Sequence, residues 1–172
     1  MNDQTTAGAS EALARPTYRR IDHIAFAVRD LESAVDFFTG PLGFTLVRRR
    51  ETRGARTGMI SAELEHNGIK FVLCQGTEPE SQVSQLIANN GPGVAHIGLE
   101  VDDPHAAMDA LRARGMEFDT PVIEGPGLQQ TFSSRCANSG IAFEFIHRTS
   151  EQEFLDSNVQ QLFDELERSG KF

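Results

Sequence analysis

The sequence contains no tryptophan, a single tyrosine and only two cysteines among its 172 residues. Cys74 and Cys136 are far apart and lack the CxxC spacing of thiolate metal sites, so the sequence indicates neither a disulfide framework nor a cysteine zinc site. Positive charge is also scarce, because 16 Lys and Arg are set against 25 Asp and Glu, for a formal net charge of -9. Nucleic acid is therefore not an expected partner, since phosphate binding requires clustered basic residues.

The basic run Arg48-Arg49-Arg50 is interpreted as the solvated end of a strand rather than as an anion-binding site. No apolar run approaches the length of about 18 residues that a membrane-spanning helix needs. The N-terminus also lacks a basic region followed by an apolar stretch, so no secretory signal is indicated. We therefore expect a protein that is soluble and cytoplasmic, with no membrane partner.

Length and composition limit the number of domains. With 172 residues, 39% of them hydrophobic, the chain can bury one sizeable core but is too short for two ordinary domains. Residues 1–17 are small and polar without an apolar period, which predicts a disordered N-terminal tail. Residues 18–150 are expected to form the domain. Apolar residues at helical spacing within residues 151–172 predict an amphipathic C-terminal helix.

An internal repeat organises the domain. The segment IDHIAFAVRDLESAVDFFTGPLGF, from Ile21, aligns with VAHIGLEVDDPHAAMDALRARGMEF, from Val94, and this alignment pairs His23 with His96. Each copy begins with a strand of alternating and β-branched apolar residues. An aspartate that can cap the start of an amphipathic helix follows each strand. Each copy therefore opens with a strand and a helix in the same register.

Further strand-like segments follow each helix; they span residues 43–50, 55–66 and 69–75 in the first copy and 117–123, 128–136 and 140–148 in the second. A short helix in SQVSQLIANNGPG connects the copies and ends at Asn-Gly and Gly-Pro signals. The pattern predicts an α+β fold. In it, two tandem βαβββ modules, at about residues 18–76 and 92–148, form a mixed-sheet, barrel-like cup around a metal site.

Three polar side chains interrupt the apolar predicted strands. His23 and His96 occupy equivalent positions of the two copies, so pseudosymmetric strands can bring both imidazoles to one central axis. Glu144, within IAFEFI, would be costly to bury unless it faced a cation. Two neutral imidazoles and one carboxylate with open coordination positions are typical of non-haem Fe(II) oxygenases, whereas a structural zinc site would need four ligands. We predict that these residues bind Fe(II), or another divalent metal such as Mn, Co, Ni or Zn.

Two alternatives to this ligand set stay open on the sequence alone. In one, the histidines are ordinary core residues and Glu144 lies at a sheet edge. In the other, Glu100 adds or supports a ligand, because it lies on the strand of His96 at an even separation. In the first copy, the position that corresponds to Glu144 is Phe71 or Val72, neither of which can bind a metal.

The repeat and its three polar residues resemble the vicinal-oxygen-chelate superfamily, which includes glyoxalases, methylmalonyl-CoA epimerases and extradiol dioxygenases. The resemblance is strongest to the catalytic C-terminal domain of 4-hydroxyphenylpyruvate dioxygenases. IDHIAFAV resembles the first metal-histidine strand of those enzymes, GPGVAHIGLEVDD the second, and FEFIHR the strand of the glutamate ligand. FLDSNVQQLFDELERSG resembles their C-terminal segment, so the similarity covers nearly the whole chain from residue 20 onward.

The resemblance implies a substrate and a reaction. Fe(II) held by the two histidines and the glutamate would be chelated by a 2-oxo acid, and O2 would be used for oxidative decarboxylation and hydroxylation. LQQTFS is similar to the segment that supplies a substrate-facing glutamine. Gln130 is therefore expected to orient a polar substrate group, with Phe132 and Phe143 as apolar or aromatic contacts. The C-terminal helix, through Phe154 or Phe163, is expected to close over the site, and it is also a candidate contact in a homodimer.

The sequence also departs from those dioxygenases. It represents only the catalytic half, without their additional N-terminal barrel domain, and Ala95 stands where a glutamine precedes the second histidine. Three other functions stay open. A metal-dependent isomerase, epimerase or glyoxalase-like lyase would generally use a fourth ligand from the first copy's last strand. An extradiol enzyme would need a nearby tyrosine, and Tyr18 precedes the first strand. A small-molecule binding or resistance protein of this fold would commonly lack the ligand set.

Overall fold

The computed structural model of the protein describes residues 15–149 and 156–169. Most of the predicted N-terminal tail lies outside these residues, as do both ends of the predicted C-terminal segment, including Phe154, so those expectations stay predictions. None of the described helices has the length and the apolar character that crossing a bilayer requires.

Two modules with the same order of elements make up the domain. The first consists of β1 (Ile21–Ala27), α1 (Leu31–Thr39), β2 (Thr45–Arg53), β3 (Gly58–His66) and β4 (Ile69–Gly76). The second consists of β5 (Gly93–Glu100), α3 (Pro104–Arg112), β6 (Ile123–Gly125), β7 (Leu128–Phe132) and β8 (Ala142–Arg148). The helix α2 (Gln82–Asn90) connects them, and α4 (Asp156–Ser169) follows the second module. The predicted pair of βαβββ modules is therefore confirmed.

All eight described strands join one mixed sheet in the order β2-β3-β4-β1-β5-β8-β7-β6. At its centre, β1 and β5 are antiparallel, and each of them pairs with the last strand of its own module in parallel, β1 with β4 and β5 with β8. The sheet curls into a half-barrel, and the fold is α+β as predicted. The central pair brings the two copies of the repeat side by side.

The second strand of the second module is much shorter than predicted. Of residues 117–123, only Ile123 enters a strand, and Phe118 forms an isolated bridge to Ser133. Pro121 has no N–H to donate to a ladder. The hydroxyl of Thr120 instead accepts a hydrogen bond from the N–H of Phe132 at 2.9 Å. The side chain of Thr120 thus interrupts the ladder, of which the backbone hydrogen bond from Asp119 N–H to the carbonyl oxygen of Phe132, at 2.9 Å, remains.

Helices α1 and α3 cover one face of the sheet and leave the other face open. Leu31 and Val35 of α1 pack against Ala62, Leu64 and Leu73 in a buried cluster. Ala107 of α3 packs against Val101 and Phe145 in the equivalent cluster of the second module. Because successive side chains along a strand point to opposite faces, the neighbours of these core residues point to the open face of the cup.

Helix α4 packs against both edge strands of the sheet, β2 and β6. The carboxylate of Glu167 accepts hydrogen bonds from the backbone N–H groups of Ala55 and Thr57, both at 2.9 Å, in the turn between β2 and β3. At its other end, Asn158 donates to the carbonyl oxygen of Pro126 at 3.3 Å. The helix is therefore anchored to both modules.

Candidate metal centre

The two repeat-related histidines meet at the centre of the sheet. Residue 23 of β1 lies opposite Gly98 of β5, and Gly98 lies beside Glu144 of β8. The absence of a side chain at Gly98 leaves room for the imidazole of His23, since a β-carbon there would lie 2.7 Å from two ring atoms. The central glycine thus allows His23, His96 and Glu144 to converge.

Three potential ligand atoms lie within a few ångströms of one another. The Nε2 atoms of His23 and His96 are 3.2 Å apart. Oε2 of Glu144 lies 3.0 Å from Nε2 of His23 and 3.4 Å from Nε2 of His96. The side chains of His23 and Glu144 are almost fully buried, whereas that of His96 is 21% exposed. His96 is therefore the most accessible residue of the cluster.

A buried carboxylate fixes the orientation of His23. Nδ1 of His23 lies 2.9 Å from Oδ1 of Asp22, and the guanidinium of Arg148 donates to both oxygens of Asp22 at 2.8 Å. The Asp22 carboxylate accepts the Nδ1–H proton, which leaves the Nε2 lone pair directed at the cluster. A carboxylate behind a histidine ligand is the usual support of metal sites.

The electrostatics of the cluster favour a positive charge between the three residues. Burial acts to raise the pKa of Glu144, but its attraction to His23 and its hydrogen bonds to both imidazoles outweigh burial and lower the pKa. Burial acts to lower the pKa of His23, but Glu144 and Asp22 outweigh it and raise the pKa. At His96 burial dominates and lowers the pKa. The site therefore holds a buried carboxylate anion that requires a cation, either a proton on His23 or a metal ion.

The donor set fits a divalent metal ion. Metal–ligand bonds of about 2.0–2.2 Å place neighbouring donor atoms about 3 to 3.5 Å apart, and the three distances between the ligand atoms, 3.0, 3.2 and 3.4 Å, lie in this range. Oε1 of Glu144 is buried without a hydrogen-bond partner among the described residues. Such an oxygen is costly unless a cation satisfies it. A sheet-edge position for Glu144, one of the alternatives, is ruled out because β8 lies between β5 and β7.

Strand register decides which residue of the first module corresponds to Glu144. Glu144 pairs with Gly98 of β5, and Val72 pairs with Ala25 of β1. Ala25 and Gly98 occupy equivalent positions of the repeat. Val72 is therefore the counterpart of Glu144, and it lies on the wall of the same cavity. A fourth protein ligand is absent at this position.

The structure places the three predicted substrate contacts in different surroundings. Gln130 of β7 is 1% exposed, lines the cavity of the cluster, and has an Oε1 atom without a hydrogen-bond partner among the described residues. The ring of Phe132 lies edge-to-face on that of His96, with the centroids 5.1 Å apart. Phe143 instead alternates with Glu144 along β8 and packs into the cluster around Phe145. It belongs to the core beneath α3, and the structure does not bring it to the site.

Two cavities adjoin the cluster. The smaller one, about 60 Å³, is called the polar chamber because seven of its ten lining residues are polar or charged: His23, Arg50, Ser61, Glu63, Val72, His96, Gln130, Glu144, Val159 and Leu162. The larger one, about 130 Å³, is mostly apolar and includes Met59, Val83, Leu86, Phe132, Ala142, Phe163 and Leu166 in its wall. His96, Val159 and Leu162 border both. The cluster therefore lies where a polar and an apolar chamber meet under α4.

The structure corrects the interpretation of the basic run. The side chain of Arg49 is 41% exposed and pairs with Glu32, as expected of a solvated strand, but that of Arg50 is 6% exposed and pairs with Glu63 on the cavity wall. The period of two residues along β2 turns Arg50 inward. Because three identical residues follow one another, the sequence carries no signal of which arginine points inward.

The remaining candidate ligand does not join the cluster. Glu100 forms an ion pair with Arg20 at the end of β5. Among the described residues, the group of potential metal ligands consists of His23, His96 and Glu144. The sequence analysis missed Asp22 and Arg148, although Asp22 is adjacent to the first histidine in the IDH motif and Arg148 ends the FEFIHR motif.

Comparisons with known proteins agree with this fold. Residues 20–145 match the family model described as the Glyoxalase/Bleomycin resistance protein/Dioxygenase superfamily. Among curated proteins, a 4-hydroxyphenylpyruvate dioxygenase of Legionella pneumophila is 24% identical over 198 residues, which cover 93% of this chain and 57% of the relative. The chain spans about half the length of the curated relatives it matches.

Solved structures of differing activity share the fold. A mutant of 4-hydroxymandelate synthase from Streptomyces coelicolor has a TM-score of 0.76 at 23% identity, over 90% of this chain and 54% of its own. A methylmalonyl-CoA epimerase from the same species has a TM-score of 0.65 at 25% identity, over 78% of this chain and 100% of its own. The family model extends over both modules and includes all three clustered residues, and the chain belongs to the glyoxalase/bleomycin resistance protein/dioxygenase superfamily.

Proposed function

We propose that this protein is a non-haem Fe(II)-dependent dioxygenase that acts on a 2-oxo acid resembling 4-hydroxyphenylpyruvate, with oxidative decarboxylation and hydroxylation. The proposal rests on one observation: only three side chains of the described residues are placed to bind the metal. Two imidazoles and one carboxylate converge, while Val72 occupies the position that corresponds to Glu144. Three protein ligands leave room at the metal for a chelating substrate and for O2.

His23, His96 and Glu144 would hold the metal, and Asp22 keeps Nε2 of His23 free for it. Bound Fe(II) would supply the Lewis-acid chemistry and the one-electron chemistry with O2 that organic side chains lack. In the overall reaction, one oxygen atom enters the new carboxylate, the other enters a hydroxyl group, and the original carboxylate leaves as CO2.

The two cavities would bind different parts of the substrate according to their polarity. The apolar chamber, with Phe132 at its junction with His96, suits an aromatic or alkyl body. Gln130 has an unsatisfied amide oxygen in the polar chamber and would accept a hydrogen bond from a substrate hydroxyl. Val159 and Leu162 of α4 cover both chambers and would exclude water. The name of the Legionella relative supports the same substrate class.

A metal-dependent epimerase, isomerase or glyoxalase-like lyase is the second candidate. It is favoured by the carboxylate of Glu63, which lines the polar chamber and could move a proton. The fold of the Streptomyces epimerase supports it as well. Val72 counts against it, because such enzymes generally use a fourth side-chain ligand from that strand.

Oxygen uptake tests the proposal. The Fe(II)-reconstituted protein is tested with a panel of aryl and alkyl 2-oxo acids that includes 4-hydroxyphenylpyruvate. We expect uptake matched by CO2 release, abolished in His96→Ala and retained in His105→Ala, whose histidine is exposed and paired with Glu124. Stoichiometric metal without uptake on any acid would favour the second candidate, and absence of metal binding would overturn both.

A further inference from the structure

The open side of the metal cluster faces the first module. The three potential ligands come from β1, β5 and β8, and the counterpart on β4 is Val72. A ligand that fills the open positions therefore approaches the inner faces of β4, β3 and β2. Ser61 and Glu63 of β3 and Arg50 of β2 line the cavity there.

Arg50 is the one cationic side chain on this wall of the polar chamber, as far as the described residues lining it show. It lies directly across the ladder from Ser61, which in turn lies opposite Cys74. Its side chain is 6% exposed, and its Nη1 donates to the carboxylate of Glu63, which is 12% exposed. A guanidinium that is this deeply buried needs anionic partners to offset the loss of its hydration.

A second carboxylate reaches Arg50 from the first turn of α4. Nε of Arg50 donates to Oδ1 of Asp156 at 2.7 Å, although the side chain of Asp156 is 82% exposed. Asp156 is the first residue of α4, the helix whose Val159 and Leu162 cover the chamber. Arg50 thus holds two carboxylates, one fixed in the sheet and one that belongs to a separate, mostly solvated element.

The two carboxylates differ in how firmly they are held. Glu63 pairs with Arg50 within the sheet, whereas Oδ1 of Asp156 is shared with a second arginine of β2, because Nη1 of Arg48 lies 3.8 Å from it. Being highly exposed, Asp156 loses little when the contact breaks, because water solvates its carboxylate. An anion that enters the chamber can therefore replace Asp156 at Arg50 at small cost.

We propose that Arg50 binds the carboxylate of the substrate that occupies the open side of the metal, and that this carboxylate replaces Asp156. The inference rests on the proposed function, because it assumes a 2-oxo acid at the metal. The site then selects acids over their esters and over neutral ketones. Arg49, the neighbour that points outward to Glu32, has no part in this selection.

Binding to the protein loaded with Co(II), which replaces Fe(II) without turnover, tests the inference. The probes are phenylpyruvate and its methyl ester, and the readouts are calorimetry and the visible spectrum of Co(II). The test variant is Arg50→Gln with Glu63→Gln, which removes both charges and leaves no buried charge unpaired. We expect phenylpyruvate to bind about 10- to 100-fold more weakly to this variant, and the ester to bind equally well to variant and wild type.

Three further variants make the result specific. Arg50→Lys keeps the charge but loses the planar fork, so its affinity for phenylpyruvate should fall by a smaller factor. Asp156→Asn removes the competing carboxylate and should tighten phenylpyruvate binding by up to about 5-fold, as the usual value of an exposed ion pair implies. Arg49→Gln is the matched control from the same basic run and should change nothing.

The outcomes separate this inference from the proposed function. Arg50-dependent binding of phenylpyruvate without oxygen uptake by the Fe(II) protein would leave the inference standing and reject the dioxygenase. Oxygen uptake together with unchanged phenylpyruvate affinity in the double variant would overturn the inference alone. Failure of the wild type to bind Co(II) or phenylpyruvate would overturn it as well.

Discussion

His23 packs directly over the α-carbon of Gly98, at the point where the central strands of the two modules cross the metal cluster. A β-carbon on Gly98 would lie 2.7 Å from both Cε1 and Nδ1 of the imidazole, closer than side chains pack. The ring has little freedom to move, since it is 3% exposed and Asp22 holds its Nδ1. His23 can therefore occupy this position only because residue 98 is a glycine.

Gly98→Ala should displace His23 and weaken metal binding without abolishing the fold. We expect at least a 10-fold lower affinity for Co(II) and a loss of about 1–3 kcal/mol in the free energy of unfolding, as for other overpacked sites. Competition with a chelator and urea unfolding measure the two effects. Val94→Ala, on the same strand but partly exposed, is the control; unchanged metal affinity in Gly98→Ala would contradict the close contact.

Asp22→Asn should weaken metal binding through the orientation of His23. Asn lacks the negative charge that raises the basicity of the imidazole, and its amide can present N–H rather than oxygen to Nδ1. The usual cost of losing such a carboxylate is about 10- to 100-fold in metal affinity. Asp102→Asn removes a carboxylate of an exposed ion pair with Arg19 and should leave the affinity unchanged. Equal affinities in both variants would show that Asp22 only stabilises the fold.

Val72→Glu should restore the missing ligand. The metal-free variant should unfold at lower temperature than wild type, because it buries an additional carboxylate in the cavity. With Co(II) or Ni(II) the order should reverse, since four ligands bind more tightly than three. Oxygen uptake should fall at least 100-fold because the fourth carboxylate occupies a position needed by substrate or O2. Val72→Leu controls for volume, and an active Val72→Glu variant would show that the open side lies elsewhere.

The docking of α4 should weaken in acid through Glu167. Burial acts to raise the pKa of this carboxyl group, but hydrogen bonds from Thr57 and from the backbone N–H groups of residues 55–57 outweigh it and lower the pKa. A carboxyl group with a lowered pKa in the folded state contributes stability above its unfolded pKa of about 4.3 and loses it as the pH falls through the folded pKa.

Unfolding experiments at several pH values measure this contribution. The free energy of unfolding of the wild type should exceed that of Glu167→Gln at pH 7, and the difference should shrink as the pH is lowered below about 4. Glu165→Gln, whose carboxylate pairs with Arg168 at the surface of the same helix, should show a smaller difference throughout. A difference for Glu167→Gln that is constant with pH would mean that its charge has no role in docking.

Much of the fold followed from local pattern. The repeat of strand, capped helix and three strands was visible because helix caps and side-chain periodicity depend on neighbours in the sequence. Asp30 and Asp103 cap α1 and α3 as the sequence suggests. The strand predicted over residues 117–123 was wrong for most of its length, because Pro121 and the side-chain bond to Thr120 interrupt the ladder.

The sequence by itself determined that His23 and His96 are equivalent and that Glu144 would need a cation if it were buried, since repeat symmetry and the cost of burying charge are properties of residue type and spacing. Only the tertiary structure decided that Val72 rather than Phe71 faces Glu144, that Phe143 points to the core, and that Arg50 points inward. Each of these depends on strand register, and a shift of one residue exchanges the two faces of a sheet. Register is set by pairing between segments distant in the chain, such as β1 with β5 and β4. Local sequence therefore predicted which residues could perform chemistry, and long-range pairing decided which of them share a cavity.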